Sequence, residues 1–148
     1  SYRQKEYFSH LKKLCADLSV DNLLFVGGYS DLRPILKQFD IYICSSLSES
    51  SPISVWEAMS MEKPIVSTDV GDVSVYVKHN NNGFIVDVGS HKDMSKYISV
   101  LIKDQIMKQE FGKKSRNIAV NKLDSRLCAL HHINAFNNVL DYKVDDDL

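Results

Sequence analysis

Short apolar runs alternate along the chain with longer stretches whose apolar residues return every three or four positions. Tyr7, Leu11, Leu14, Cys15 and Leu18 fall at helical spacing and predict a helix from about Tyr2 to Leu18. Leu23-Leu24-Phe25-Val26 predicts a short strand ending in Gly27-Gly28. Leu32 to Phe39 predicts a short helix capped by Ser30 or Asp31. Ile41 to Cys44, Pro64 to Thr68 and Phe84 to Asp87 predict three further strands. A helix from Pro52 to Met61 and a short helix or turn from Gly71 to Lys78 separate them. Asn80-Asn81-Asn82-Gly83 is a strong turn signal. Helices follow at about His91–Lys103, Gln105–Val120 and Ser125–Tyr142, before an acidic tail, Asp145-Asp146-Asp147, that reads as solvated.

The strands are short and apolar without alternation, the pattern of strands covered on both faces. That predicts an α/β fold: a Rossmann-like parallel sheet with helices on both faces. The order predicts one domain over residues 1–148, with no internal repeat and no linker. Such domains usually open on a strand, and this chain opens on a helix. The expectation is therefore a fragment that lacks the first strand of its domain and a preceding domain.

The length suffices for one sizeable core. A net charge of −1 gives no support for a nucleic-acid partner. No apolar run approaches the roughly 18 residues of a membrane span. The polar start, Ser1 to Glu6, does not read as a signal peptide. Cys15, Cys44 and Cys128 are odd in number, widely spaced and in apolar settings, which predicts buried free thiols and a reducing, cytoplasmic setting. His79, His91 and the pair His131-His132 lack ligand spacing with Cys or Asp, so no metal site is expected.

Candidate chemistry concentrates in two glutamates. Glu49 and Glu57 are separated by seven residues, between the predicted strands at 41–44 and 64–68. Ser51 suits a helix cap, and Pro52 suits the first helical position because it lacks an N–H that would have no partner there. Glu49 then lies in a strand-to-helix loop, and Glu57 about 1.5 turns into the helix. In an open α/β sheet such loops stand at the carboxyl ends of the strands, where ligands bind. A helix start also offers N–H groups to an anion. Two carboxylates beside an anion site suit a ligand with both phosphate and hydroxyls, as in a nucleotide sugar. The plainer readings are a solvated loop glutamate at 49 and a dipole-favoured helix glutamate at 57. Trp56, Met59 and Cys44 read as core.

Several segments in order form a larger pattern. These are Asn22 to Gly27, Phe39-Asp40-Ile41-Tyr42-Ile43, Ser46 to Glu49 with Glu57-Ala58-Met59-Ser60, Lys63 to Thr68 with Val70-Gly71, and Asn82-Gly83-Phe84-Ile85-Val86. Together they resemble the C-terminal, donor-binding domain of retaining glycosyltransferases of family 4 (group 1), which have the two-domain GT-B fold. Three positions depart from the family's usual residues. Ser50 follows the first glutamate where Gly is usual, and Glu62 replaces a Gly before the Lys63-Pro64 strand start. Gly71-Asp72-Val73-Ser74-Val75 stands where Gly-Gly, apolar, Pro, Glu is frequent.

The resemblance implies a hexosyltransferase that acts with retention and has Glu49 as its catalytic residue, near the donor sugar. Glu57 would accept from both ribose hydroxyls. Backbone N–H groups at Ser50, Ser51 and Ile53 would hold the diphosphate, and Gly27, Gly28 and Tyr29 would meet the base. It implies a nucleotide diphosphate sugar (UDP-, GDP- or ADP-linked) as donor and an acceptor glycan or lipid reached through an N-terminal domain, in polysaccharide biosynthesis. It implies no cofactor, and leaves peripheral membrane association of the full enzyme open. The family's phosphate-binding Arg and Lys would lie upstream of residue 1. The last helix would cross toward the N-terminal domain, so that in a fragment its outer apolar face, with Leu127, Leu130 and Ile133, would promote weak self-association. Two other classes remain: a nucleotide-sugar epimerase of GT-B fold, and a non-catalytic Rossmann-like binding domain with solvated glutamates.

Overall fold

The computed structural model describes residues 2–29 and 31–140. Ser30, Tyr142 and the acidic run Asp145 to Asp147 lie outside them. The chain divides into two units, Ser1–Asp31 and Leu32–Leu148.

In the first unit, helix α1 (Tyr2–Asp17) ends at a left-handed residue, Ser19, with φ 53°. The Val20 N–H donates to the Cys15 carbonyl at 2.8 Å and the Ser19 N–H to the Ala16 carbonyl at 3.1 Å, the pairing of a Schellman cap. Leu23–Val26 forms no strand, contrary to its apolar pattern. A strand needs a neighbour to take its backbone N–H and C=O groups, and no described strand pairs with this segment. Leu23 and Leu24 are exposed, while Phe25 meets the Phe8 ring edge-on, 4.9 Å between centroids.

The second unit contains α2 (Arg33–Leu36), β1 (Tyr42–Cys44), α3 (Ile53–Ser60), β2 (Ile65–Thr68), α4 (Val73–Tyr76) and β3 (Gly83–Val86). Three longer helices follow: α5 (His91–Lys103), α6 (Gln105–Lys122) and α7 (Ser125–Leu140). The strands form a parallel sheet in the order β1-β2-β3, with Tyr42 opposite Ile65 and Val66 opposite Phe84. Every residue of the central strand is buried. Its side chains alternate between two cores. Ile65 packs with Leu36, Val55, Met59 and Val73 under α2, α3 and α4. Val66 packs with Phe84, Leu101 and Phe111 under α5 and α6. Helices thus cover both faces of a Rossmann-like sheet.

The asparagine-rich turn is built around Asn82, which is fully buried. Its side chain accepts from the Lys78 N–H at 2.7 Å and donates to the Tyr76 carbonyl at 3.2 Å. Asn80 takes the left-handed conformation that asparagine tolerates, φ 59°. Cys44 is buried as expected, but Cys15 and Cys128 are partly exposed; all three are free. Along α7, Leu130, Ile133, Phe136 and Val139 are exposed.

Helix α3 ends in another Schellman cap. The Lys63 N–H donates to the Ala58 carbonyl and the Glu62 N–H to the Met59 carbonyl, both at 3.1 Å. Glu62 is the left-handed residue, φ 59°. Glycine is usual at such a position, and a side chain there costs about 1–2 kcal/mol. Helix α6 closes on this turn at Gly112, where a Cβ would lie 2.2 Å from the Glu62 carbonyl oxygen. Gly112→Ala is therefore expected to destabilise the protein by about 1–3 kcal/mol through overpacking against backbone. Urea unfolding midpoints of the two forms check this, and equal midpoints would refute the close approach.

Helix α6 is also tied to the start of β1. Lys108 Nζ donates to Asp40 Oδ1 at 2.7 Å. This hydrogen bond and the lysine charge hold the Asp40 carboxyl below its ordinary range. The contribution is complete above the unfolded-state value of 3.8 and is lost as pH falls through the lower folded value. Asp40 is largely exposed, so Asp40→Asn should cost at most about 1 kcal/mol at neutral pH. The cost should shrink to nothing in acid, as measured by the difference in stability between the two forms across pH.

Candidate functional site

The carboxyl ends of β1 and β2 hold the loop that carries Glu49. Thr68, the last residue of β2, donates its hydroxyl to the Ser46 carbonyl at 2.7 Å. Ser46 in turn donates its hydroxyl to Glu49 Oε1 at 2.8 Å. Glu49 is thereby tied back to the root of its own loop while remaining exposed to solvent.

The start of α3 differs from the expected cap. Pro52, not Ser51, occupies the cap position, with φ −74° and ψ 92°, and no side chain caps the helix. The Ser51 hydroxyl is engaged elsewhere: it accepts from the Trp56 indole N–H at 3.2 Å and donates to Asp72 Oδ2 at 3.1 Å. Ser50 is not among the left-handed residues. Serine in place of the usual glycine therefore imposes no left-handed strain there.

The left-handed conformation and the close packing fall instead on the turn after β2. Gly71 has φ +54°, and a Cβ on it would lie 2.2 Å from the Ser50 carbonyl oxygen and 2.9 Å from that of Glu49. The Asp72 N–H donates to the Ser50 carbonyl at 3.2 Å. The β2–α4 turn thus grips the loop on which Glu49, Ser50 and Ser51 stand.

Glu57 and Ile53 project from α3 into a concavity of about 490 Å³ shared with Trp56, Ser60, Val120 and Leu123. Trp56, expected in the core, is only partly buried and forms part of this wall, its ring edge-on to Tyr76 at 5.0 Å between centroids. Met59 is fully buried, as expected. Glu49 does not line this concavity, but both glutamates exert a small influence on one half-buried phenol, that of Tyr42. Burial raises the Tyr42 hydroxyl above its ordinary range, and a hydrogen bond with Ser54 opposes this. Cys44, Glu57 and Glu49 add smaller upward contributions.

Gly27, Gly28 and Tyr29 belong to the first unit. A Cβ at either glycine would meet nothing within 4 Å, and Tyr29 is exposed. Gly27 borders a groove of about 540 Å³ with Tyr7, Phe8, Leu11, Phe25 and Val26. Among the described residues no group of His, Cys, Asp and Glu is placed to hold a metal ion, and no helix is long and apolar enough to cross a membrane. His79 instead packs against Phe84 and Tyr97 and accepts from the Ile85 N–H. Sequence reasoning missed Thr68 and Asp72, whose contacts join segments more than twenty residues apart.

A family model described as glycosyl transferases group 1 matches residues 4–118, more than half of the chain. The chain belongs to this family. Poly(ribitol-phosphate) alpha-N-acetylglucosaminyltransferase of Staphylococcus aureus is 25% identical over 130 residues, which are 86% of this chain and 26% of that protein. N-acetyl-alpha-D-glucosaminyl L-malate synthase of Bacillus anthracis is 23% identical over 90% of this chain and 35% of that protein. The chain thus spans about a quarter to a third of the length of these curated relatives. The crystal structure of Anabaena HepE in complex with UDP superposes with a TM-score of 0.89 at 21% identity, over 93% of this chain and 38% of that one. The C-terminal domain of a group 1 family protein, LpcC from Francisella tularensis, gives 0.76 at 19% identity, over 84% and 66%. The stretch matched by the family model, residues 4–118, contains the β1–α3 loop and both glutamates.

Proposed function

We propose that the chain is the donor-binding half of a retaining glycosyltransferase that moves a hexose from a nucleoside diphosphate sugar to an acceptor hydroxyl. The observation that carries this reading is the β1–α3 loop of a group 1 chain. It is held at the carboxyl edge of the sheet, with Glu49 in it and Glu57 beyond it on α3. The uncapped start of α3 offers backbone N–H groups at Ser50, Ser51 and Ile53 to a diphosphate, which the helix dipole favours. Glu57 accepts from the ribose hydroxyls, since a carboxylate can take two neighbouring donors at once. By the resemblance, Gly27, Gly28 and Tyr29 are the residues that would meet the base. Glu49 faces the sugar, where charge develops as the diphosphate leaves. Catalysis then comes from positioning and from electrostatic stabilisation of the leaving group. Anabaena HepE, whose fold this chain shares, was crystallised with UDP and with UDP-glucose, which supports a nucleotide-sugar donor. An acceptor glycan or lipid would be met through a further domain.

Titration with UDP, GDP and ADP tests the binding half of this proposal. Activity of the full-length protein with a panel of labelled donors tests the chemistry. Binding without transfer, with interconversion of the donor sugar, would mark an epimerase, and no binding at all a non-catalytic domain. Retention is read from the anomeric configuration of the product.

Two substitutions separate the roles of the glutamates. Glu57→Ala should weaken nucleoside diphosphate binding by about 1–3 kcal/mol, the cost of removing a charged acceptor. Equal affinity of mutant and wild type would remove the ribose role. Glu49→Ala should lower the turnover number by a factor on the order of 100 or more, with little effect on nucleotide affinity. A near-normal turnover number with an altered Michaelis constant for donor would make Glu49 a binding residue only.

A further inference from the structure

A hydrogen-bonded chain runs through the loop at the start of α3 and ends on a residue that the family pattern does not supply. The Trp56 indole N–H donates to the Ser51 hydroxyl, and the Ser51 hydroxyl donates to Asp72 Oδ2. With an acceptor bond and a donor bond both made, that hydroxyl has one fixed orientation and no proton left for a ligand. Asp72 holds the same loop a second time, through its own N–H to the Ser50 carbonyl. The preceding residue, Gly71, packs without room for a Cβ on the Ser50 and Glu49 carbonyl oxygens. Asp72 Oδ1 is shut away from solvent and makes no hydrogen bond. A carboxylate so placed has little freedom to turn.

We propose that Asp72 is a positioning residue of the donor site, an inference that rests on the donor-site reading above. By fixing Ser51 and Trp56 through its carboxylate and Ser50 through its amide, it holds the backbone of residues 50–53 in the shape that receives the diphosphate. The same relay sets the Trp56 wall of the concavity into which Glu57 projects. The loop and the ribose-side wall are thereby adjusted by one side chain.

The test uses the chain itself, in which Trp56 is the only tryptophan, so the indole N–H gives a single nuclear magnetic resonance signal. The signal is followed without ligand in wild type, Asp72→Ala, Ser51→Ala and Asp72→Asn. Affinity for UDP, GDP and ADP is then measured by titration calorimetry under conditions where each form is folded. Asp72→Ala and Ser51→Ala should both move the indole signal and weaken nucleoside diphosphate binding about tenfold, the size expected for a lost hydrogen bond to a charged group. Asp72→Asn, whose amide oxygen still accepts from Ser51, should return the indole signal to near its wild-type position and the affinity to within about threefold of wild type. The rescue separates positioning from general stability. An indole signal unmoved in both alanine forms overturns the relay. A moved signal with unchanged affinity, in a wild type that binds, overturns the positioning role alone. A wild type that binds none of the three nucleotides overturns the donor-site reading, and this proposal with it.

Discussion

The fold depends on the burial of one strand from both sides. β2 has no solvent-facing residue, so Ile65 and Val66 each require a helix layer of their own. A central strand covered twice suits a sheet whose connections return across its faces, and such connections give parallel pairing. Parallel pairing in turn gathers the strand-to-helix loops at one edge. The Glu49 loop and the Gly71–Asp72 turn are neighbours because β1 and β2 are neighbours, and Thr68 joins the first loop to the end of the second strand.

Helix α3 is then seated by close backbone approaches at both of its ends. Near its start, Gly71 lies against the Ser50 carbonyl; at its finish, Gly112 of α6 lies against the Glu62 carbonyl. Neither contact leaves room for a methyl group. A helix held at both ends can present Ile53, Trp56 and Glu57 along one face without depending on a side-chain cap, and it has none. What would elsewhere be a capping serine is free to take part in a lateral chain of hydrogen bonds instead.

Much of this could be read from the order of residues. Three of the four predicted strands, and every helix with strong periodicity, stand where apolar spacing placed them, and His91–Lys103 agrees to the residue. The Asn80–Gly83 turn was legible because asparagine and glycine have few other uses in succession. The miss at Leu23–Val26 has a plain cause: apolar composition shows that a segment suits a strand, but pairing requires a partner that composition cannot supply. The cap at Ser51 was misassigned by one residue for a similar reason. Local rules favour a serine cap, and the competing acceptor, Asp72, comes twenty-one residues later.

The departures from the family pattern show how differently one kind of change acts at different places. Ser50 and Glu62 both stand where glycine is usual. Ser50 has ordinary backbone geometry, so its side chain adds no strain and its N–H is kept. Glu62 sits in the left-handed turn that closes α3 and bears the conformational penalty, offset weakly by an exposed ion pair at 3.7 Å with Arg116, which also donates to the Ser60 carbonyl. Asp72 is a third case, because it brings a new charged acceptor to the turn that grips the loop. Glycine there could pack and could donate its N–H, but it could not orient a hydroxyl. A chain with Asp72 but without Ser51 would have an orphan carboxylate at the loop, and one with Ser51 but without Asp72 would leave the hydroxyl free to rotate. Asp72 and Ser51 are therefore complementary, and their hydrogen bond links the turn after β2 to Trp56, in the wall beside Glu57.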